Sequence, residues 1–353
     1  MIQPLLSSPP IRYFVVLLGF TLFMPGTVWA QSTTSAPLSD AEAIAAHVRS
    51  ASPGAASTNA LDFSPDGARI ASYTPGEEIA IWDVETGKQL QSISSNQGYV
   101  YQTRWAPDGT VLASASQDGT VHLWDTSTGE RLRVLDGFSG GSPTMGGGIT
   151  EVWFSPDGRY LAAGQRFTPG RLVVWDRKAE TEILRVERPR RMYAIDWGPA
   201  GTRLYTAEEN GTVYAWSVPE GEKVDQWPLE QGQLFDLDAA DTRVAAGGKS
   251  EQIHVVNTED GTVQHRFDHG DFINNTVVVD GQPTVASVSS NGLLKVWDTD
   301  TGALRYERFA HDTGTWTVTA SPDGTLLATT GDDNIIRLWD PTTGDLVREI
   351  RGE

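Results

Sequence analysis

Cysteine is absent from this chain of 353 residues. Its absence removes disulfides, zinc–thiolate sites and thiol nucleophiles from the possible chemistry. Positive charge is also scarce, because 27 Lys and Arg stand against 46 Asp and Glu, for a net charge of −19. Such a field opposes binding to nucleic acid, since phosphate contacts need clustered Lys or Arg. We therefore predict no nucleic-acid partner.

Catalytic and cofactor motifs are missing as well. The sequence has no Gly-Xaa-Ser-Xaa-Gly nucleophile elbow, phosphate-binding glycine loop or dinucleotide fingerprint in a supporting context. There are six histidines, and His265 and His269 lie in strand and loop sequence rather than on one face of a helix. We predict a chain that is not an enzyme, with no catalytic, cofactor-binding or metal-binding residues and no cofactor.

One largely apolar stretch stands out, and it lies near the N-terminus. Residues 13–24 follow Arg12, and Val28-Trp29-Ala30 places short side chains at the −3 and −1 positions of a cleavage site. The stretch falls short of the ~20 apolar residues that span a bilayer. We predict that residues 1–30 are a signal peptide cleaved after Ala30. The mature chain would then be secreted or periplasmic, with no integral membrane segment.

Residues 31–56 have the composition of a linker. They are rich in Ser, Thr and Ala, and Ser39-Asp40-Ala41-Glu42 has the pattern of a capping box that opens a short helix ending near Arg49. A secreted chain without disulfides favours a bacterial periplasmic or extracellular protein.

Tryptophan recurs along the rest of the chain in one repeated phrase. The six Trp residues of this phrase are 42, 51, 41, 81 and 42 residues apart, and the interval of 81 spans two units with Val256 at the missing position. A period near 40 indicates seven copies of a unit that cannot fold alone. The phrases are Ile81-Trp82-Asp83, Leu123-Trp124-Asp125, Val174-Trp175-Asp176, Ala215-Trp216-Ser217, Val296-Trp297-Asp298 and Leu338-Trp339-Asp340.

Each unit also carries turn signals between short runs of strand-forming residues. Pro65-Asp66-Gly67 is typical of the first turn, and Thr86-Gly87 is typical of a second turn after the Trp-Asp pair. The unit therefore predicts four antiparallel strands, here named a to d, with no room for a helix. This combination closely resembles the WD40-repeat family over residues 57–353, and the export signal suggests a secreted bacterial-type member.

The resemblance implies an all-β fold, a seven-bladed β-propeller of four-stranded antiparallel blades around a central channel. It also implies a structural tetrad of hydrogen-bonded side chains, which only the last unit matches fully, at His311, Thr329, Asp333 and Trp339. Family members often close the ring with an N-terminal strand. Here all four strands of every unit appear in order, so that clasp is not evident, although residues 41–49 could supply an extra strand.

A large aromatic or apolar residue precedes the first turn of several units. We predict that Phe63, Trp105, Phe154 and Trp197 form the core between blades, because a lone twisted sheet would expose two apolar faces.

The resemblance also implies a top face, the end of the ring where strand a begins and the turns between strands b and c lie, and function is predicted from this face. Aromatic residues and amides recur there, and Tyr and Trp combine a large contact area with a polar tip. We predict a non-enzymatic exported scaffold that binds a protein or peptide partner of unknown identity through this face. The predicted partner-binding residues are Tyr99, Tyr101, Arg191, Tyr193, Gln233 and Trp316.

The alternative is a propeller hydrolase or lyase, or a saccharide-binding module, acting at the channel mouth. It rests on acidic pairs in the b–c turns, Glu77/Glu78, Glu208/Glu209 and Asp332/Asp333. Solvated turns explain these pairs better. The glycine-rich insertion at 137–148 is interpreted as a surface loop, and the sequence leaves the oligomeric state open.

Overall fold

The computed structural model of the chain describes residues 60–351, except residues 75–77, 96–97, 139–147, 167, 230–231 and 313. The predicted signal peptide, the linker with its short helix and most of the glycine-rich insertion lie outside the described residues. Strands and turns make up the part of the chain that is described.

Seven sheets of four antiparallel strands follow one another along the chain. Blade 1 contains β1 (Leu61–Phe63), β2 (Arg69–Thr74), β3 (Glu78–Asp83) and β4 (Gln89–Ser94); blade 2 contains β5 (Val100–Trp105), β6 (Val111–Ser116), β7 (Thr120–Asp125) and β8 (Arg131–Asp136). Blade 3 contains β9 (Glu151–Phe154), β10 (Tyr160–Gln165), β11 (Gly170–Asp176) and β12 (Thr181–Arg188); blade 4 contains β13 (Met192–Trp197), β14 (Arg203–Glu208), β15 (Thr212–Ser217) and β16 (Lys223–Pro228).

The remaining three blades repeat the pattern. Blade 5 contains β17 (Leu234–Ala240), β18 (Arg243–Gly248), β19 (Gln252–Asn257) and β20 (Val263–Asp268); blade 6 contains β21 (Ile273–Val279), β22 (Thr284–Ser289), β23 (Leu293–Asp298) and β24 (Leu304–Phe309). Blade 7 contains β25 (Thr315–Ala320), β26 (Leu327–Gly331), β27 (Ile335–Trp339) and β28 (Leu346–Arg351). The predicted seven-bladed β-propeller is confirmed.

The first strand of each blade lies innermost and the fourth lies outermost. Strands a of neighbouring blades contact one another around the ring. The contrast is clear in blade 4, where every residue of β13 is buried and most of β16 is exposed. The side chains of the seven strands a therefore line the central channel.

Large side chains seal each junction between blades, as the sequence predicts. Trp105 packs among blade 1 residues such as Ile81 and Ile93, and Trp197 packs on Tyr160 of blade 3. These side chains are buried because the apolar faces of two sheets meet only between blades.

The ring closes through the same kind of packing. Phe63 and Trp82 of blade 1 share a core with Ile336, Leu338 and Ile350 of blade 7. Within the described ranges, blade 7 is built only from its own four strands in order. Residues 41–49, the possible source of an extra strand, lie outside them.

Candidate functional site

A β-bulge opens the innermost strand of five blades, and it lies at the top face. In blade 2, Val100 pairs with Ser116 and Gln102 pairs with Ala115, which leaves Tyr101 without a partner residue across the sheet. A bulge of this kind bends the strand and re-aims the extra side chain. The bulged residues are Tyr101, Tyr193, Phe235, Asn274 and Trp316.

Three of the predicted partner-binding residues lie at these bulges, namely Tyr101, Tyr193 and Trp316, and the other three each lie two residues before a bulge, namely Tyr99, Arg191 and Gln233. The sequence aligns Gln233 of blade 5 with Tyr101, and the structure differs there. Phe235, not Gln233, occupies the bulge there, and Gln233 lies just before the strand with its Nε2 3.4 Å from Oε1 of Glu209. The mismatch arises because the units are aligned on the large aromatic residue of strand a, and blade 5 has Ala239 at the position that Trp105 holds in blade 2. Asn59, the corresponding residue of blade 1, is outside the described residues.

Aromatic rings meet in two groups on the top face. The ring of Tyr99 lies 5.0 Å from that of Tyr101 and 5.5 Å from that of Tyr73, both edge to face. The rings of Tyr193 and Phe235 meet 5.5 Å apart across the junction of blades 4 and 5. Such pairs hold the rings in fixed orientations.

Arg166 links these two groups, and sequence reasoning missed it. Its guanidinium lies 5.3 Å from the ring of Tyr193 and 3.8 Å from the carboxylate of Glu151 inside the channel. It is also close enough to Tyr101 to oppose the rise in the pKa of that phenol, which burial causes. The only signal in the sequence was an Arg in a b–c turn, which is an ordinary surface position.

Arg188, Arg190 and Arg191 form a basic cluster in the sequence, which Lys249 of the next blade could join, and the structure separates Arg188 from it. Arg190, Arg191 and Lys249 are exposed, and a hydrogen bond to Tyr193 raises the pKa of Arg191. Arg188 instead turns inward, where its Nε donates to Oε1 of Glu208 at 2.6 Å.

The interpretation of the acidic b–c turns as solvated was wrong for two of the three pairs. The side chain of Glu208 is fully buried against Arg188. Asp332 accepts a hydrogen bond from Nε1 of Trp316 at 2.6 Å, and Asp333 contacts both His311 and Arg337. Because these carboxylates are already engaged, they are poorly placed for the acid–base chemistry of the alternative function. Glu77 lies outside the described residues.

The predicted tetrad residues of blade 7 form one hydrogen-bonded chain. Nδ1 of His311 lies 2.7 Å from Oδ1 of Asp333, and its Nε2 lies 2.9 Å from Oγ1 of Thr329. Nε1 of Trp339 donates to the same hydroxyl at 2.9 Å. Nη1 of Arg337 lies 2.7 Å from the same Nδ1 and 2.5 Å from Oδ2 of Asp333, so the carboxylate contacts both the imidazole and the guanidinium. The Trp-to-hydroxyl bond recurs in three other blades, at Trp82–Ser72, Trp124–Ser114 and Trp216–Thr206.

Polar side chains of the channel hold neighbouring blades together. In each case, a side-chain oxygen of one strand a accepts a hydrogen bond from a backbone N–H of the next strand a. The pairs are Asp62 with Trp105 (2.8 Å), Gln102 with Val152 (2.5 Å), Asp196 with Ala239 (2.7 Å), Asp236 with Thr276 (2.7 Å), Asp238 with Val278 (2.8 Å) and Asn275 with Val318 (2.8 Å).

Burial raises the pKa of the channel carboxyls. It raises the pKa of Asp62 and Asp236 to about 6 and that of Glu151 and Asp238 to about 7, and it raises the pKa of Asp196 well above its ordinary value. The guanidinium of Arg104 opposes the rise at each of them. Asp62 and Asp238 keep part of their surface open to the channel, so the three more deeply buried groups should feel desolvation most.

Among the described residues there is no group of three or more His, Cys, Asp or Glu that could hold a metal ion, and no helix long and apolar enough to cross a membrane.

Together, the geometry defines a seven-bladed β-propeller with an aromatic top face. Sequence comparison then shows which proteins the chain is similar to. The family model "WD domain, G-beta repeat" matches residues 87–125, 132–176 and 303–340. Human WD repeat-containing protein 36 is 28% identical over 195 residues, which are 50% of this chain and 21% of that protein. Over these residues the chain is similar to the WD40-repeat family.

Two further similarities bear on fold and class. The non-catalytic subunit wdr4 of a tRNA (guanine-N(7)-)-methyltransferase from Xenopus laevis is 30% identical over 44% of this chain and 40% of its own length. A chain in the crystal structure of the mitotic checkpoint complex superposes with a TM-score of 0.70 at 20% identity, covering 82% of this chain and 92% of its own. The chain thus spans less than half the length of either curated relative. Both are animal proteins, so they lend no support to a bacterial-type member.

Proposed function

We propose that this chain is a non-enzymatic scaffold that binds a protein or peptide partner through its top face. The observation that carries the proposal is the row of bulges, which re-aims a side chain at the same level in five blades. Three of the bulged residues are half-buried aromatic side chains, namely Tyr101, Phe235 and Trp316. Partly exposed aromatic side chains that are already held in place lose little entropy when they bind.

The polar groups of the same face would give the contact its orientation. The indole N–H of Trp316 is already bonded to Asp332, so its ring is held in place. Arg191 is exposed, and Arg166 presents a guanidinium between Tyr101 and Tyr193. Aromatic and Arg side chains are the residues that most often dominate the energy of binding at protein interfaces.

Replacing Tyr101 and Trp316 by Ala and Arg191 by Glu should weaken the partner complex by about 10- to 100-fold, because each anchor contributes on the order of 1 kcal/mol. The partner is first identified by photocrosslinking from positions 101 and 316 in the native host, followed by mass spectrometry. Its affinity for wild type and variant is then measured by calorimetry.

The matched control changes the opposite face. Lys88→Glu and Glu130→Lys alter exposed residues beside the c–d turns of blades 1 and 2 and leave the top face intact. Equal affinity of the top-face variant and wild type, with unchanged melting of both, would refute the proposal.

We also propose that the chain is exported, on the strength of the apolar stretch at 13–24 and the site at Val28-Trp29-Ala30. The mature protein, isolated from the envelope and medium fractions of its source cells, should begin at Gln31. N-terminal sequencing and intact mass report this directly. An intact chain that keeps Met1 and stays with the cytosolic fraction would contradict export.

A further inference from the structure

Six of the seven c–d turns share one packing arrangement. Each has a glycine with φ between 70° and 75°, and the outer strand of the preceding blade places a side chain against it. A Cβ at Gly344 would lie 2.7 Å from the ring of Tyr306, and one at Gly261 would lie 2.6 Å from Nε1 of Trp227. The glycines therefore allow the outer edges of adjacent blades to close on one another.

Blade 3 departs from this arrangement. Its c–d turn has Glu180 where the others have glycine, and Glu180 keeps the left-handed backbone with φ of 58°. Its carboxylate forms an ion pair with Arg133 on the outer strand of blade 2. The junction of blades 2 and 3 is thus bridged by an ion pair between two long side chains, whereas the other junctions are closed by a side chain packed against a turn glycine.

A cleft of about 610 Å³ lies at this junction. Leu123, Leu135 and Trp175 contribute apolar surface to it, and Leu132 stands at its edge with 54% of its surface exposed. The volume is that of a small ligand or a few side chains of a peptide.

The rim of the cleft carries one more cation than carboxylates, although the chain as a whole is strongly acidic. Four cations and three carboxylates line it. Asp176 is paired with Arg159 at 3.0 Å, and Asp157 is held within its own turn by Ser155. Lys178 is exposed and forms no ion pair among the described residues. A ligand would therefore meet one excess positive charge on the rim, with the exposed Lys178 beside an apolar floor.

We propose that this cleft is a second peptide-binding site, which takes an extended segment of a partner protein with apolar side chains flanked by aspartate or glutamate. The apolar side chains would cover Leu132 and enter between Leu123 and Trp175. The flanking carboxylates would pair with Lys178 and compete with Glu180 for Arg133. The site lies on the outer flank of blades 2 and 3, so it is separate from the bulged residues of the top face.

The probe for this site is a blocked pentapeptide with the order Asp-Leu-Asp-Phe-Asp, with a Lys-Leu-Lys-Phe-Lys peptide as its charge-reversed counterpart. Binding is followed by calorimetry. The acidic peptide should bind at least tenfold more tightly than the basic one, and the difference should shrink at high salt.

Matched variants locate the binding. Leu132→Asp with Lys178→Glu should weaken binding of the acidic peptide at least tenfold. Leu90→Asp with Lys88→Glu makes similar changes on blade 1, where Gly129 of the next blade packs against Gln91 and Ile93, and should leave binding unchanged. Glu180→Gln should strengthen binding, because it removes the carboxylate that competes for Arg133.

Three results would overturn the proposal. They are equal binding of the acidic and basic peptides, equal effects of the blade 2–3 and blade 1 variants, and no binding of the acidic peptide at millimolar concentration. The top-face variant should bind the acidic peptide like wild type, so failure here and failure of the top-face proposal are distinguishable.

Discussion

Arg188→Met should lower the free energy of unfolding by about 3–5 kcal/mol, the cost of leaving a buried charge without its partner. The side chain of Glu208 is fully buried, and Arg188 reaches it from the neighbouring blade with Nε 2.6 Å from Oε1 and Nη2 3.4 Å from Oε2. The guanidinium also lies 4.7 Å from the ring of Tyr214, so the substitution removes a cation–π contact as well. Urea unfolding followed by tryptophan fluorescence measures the loss.

The double variant Arg188→Met/Glu208→Met separates charge from packing. It removes both charges and keeps two flexible side chains of similar length, so we expect it to be far more stable than the single variant. Arg133→Met is the exposed counterpart, since it breaks the ion pair with Glu180 at the surface and should cost less than about 1 kcal/mol. If the single buried variant lost no more than this exposed one, the pair would have no structural role.

The fold could be predicted because its signals are local and repeated. A Trp-Asp pair, a turn with Pro and Gly and four short strands recur with a period that a propeller requires. The large residue before the turn, such as Phe63 or Trp105, is buried. The loss of the repeated tryptophan in blade 5 does not change the number of blades, because Val256 pairs with Val244 at the position that tryptophan holds elsewhere.

The site was harder to predict, because its decisive features lie between blades. A bulge shifts the register by one residue, and nothing in the sequence of blade 5 distinguishes Phe235 from Gln233 as the residue it carries. Arg188 was assigned to a surface cluster because its partner, Glu208, is 20 residues away on another sheet. Arg166 and Glu180 lie in turns, and their contacts with Tyr193 and Arg133 come from adjacent blades that meet only in the closed ring.

The channel carboxyls supply the second large effect, which depends on pH. Asp236→Asn should stabilise the protein by about 1–3 kcal/mol at pH 8, since a pKa of about 6 lies two units above the ordinary value and each unit corresponds to ~1.4 kcal/mol. The amide keeps an oxygen that can accept the N–H of Thr276. Asn275 already fills this role one blade later, where it accepts from Val318. Removing the charge should also lower the pKa of Glu151 and of Asp238, because the carboxylate of Asp236 raises both.

The sign of the pH dependence follows from linkage. A carboxyl with a raised pKa in the folded state contributes most to stability when it is protonated, and this contribution is lost as pH rises from the unfolded value near 4 through the folded value near 6. The advantage of Asp236→Asn over wild type should therefore be small near pH 4, grow between pH 4 and 6 and stay constant above. Buried His122, His254 and His269, whose pKa is lowered to about 4 by burial, oppose this trend below pH 6.5 in both proteins and cancel in the comparison.

Thermal unfolding of wild type, Asp236→Asn and Asp236→Ala at pH 4.5, 6 and 8 tests the argument. Asp236→Ala removes the acceptor as well as the charge, so it should be less stable than Asp236→Asn at every pH by about 1–3 kcal/mol, the cost of an unsatisfied buried N–H. A stabilisation by Asn that is equal at pH 4.5 and pH 8 would mean that Asp236 does not titrate between them. Destabilisation by Asn at pH 8 would mean that the ionised carboxylate, held by Thr276 and the field of Arg104, outweighs the cost of burying it.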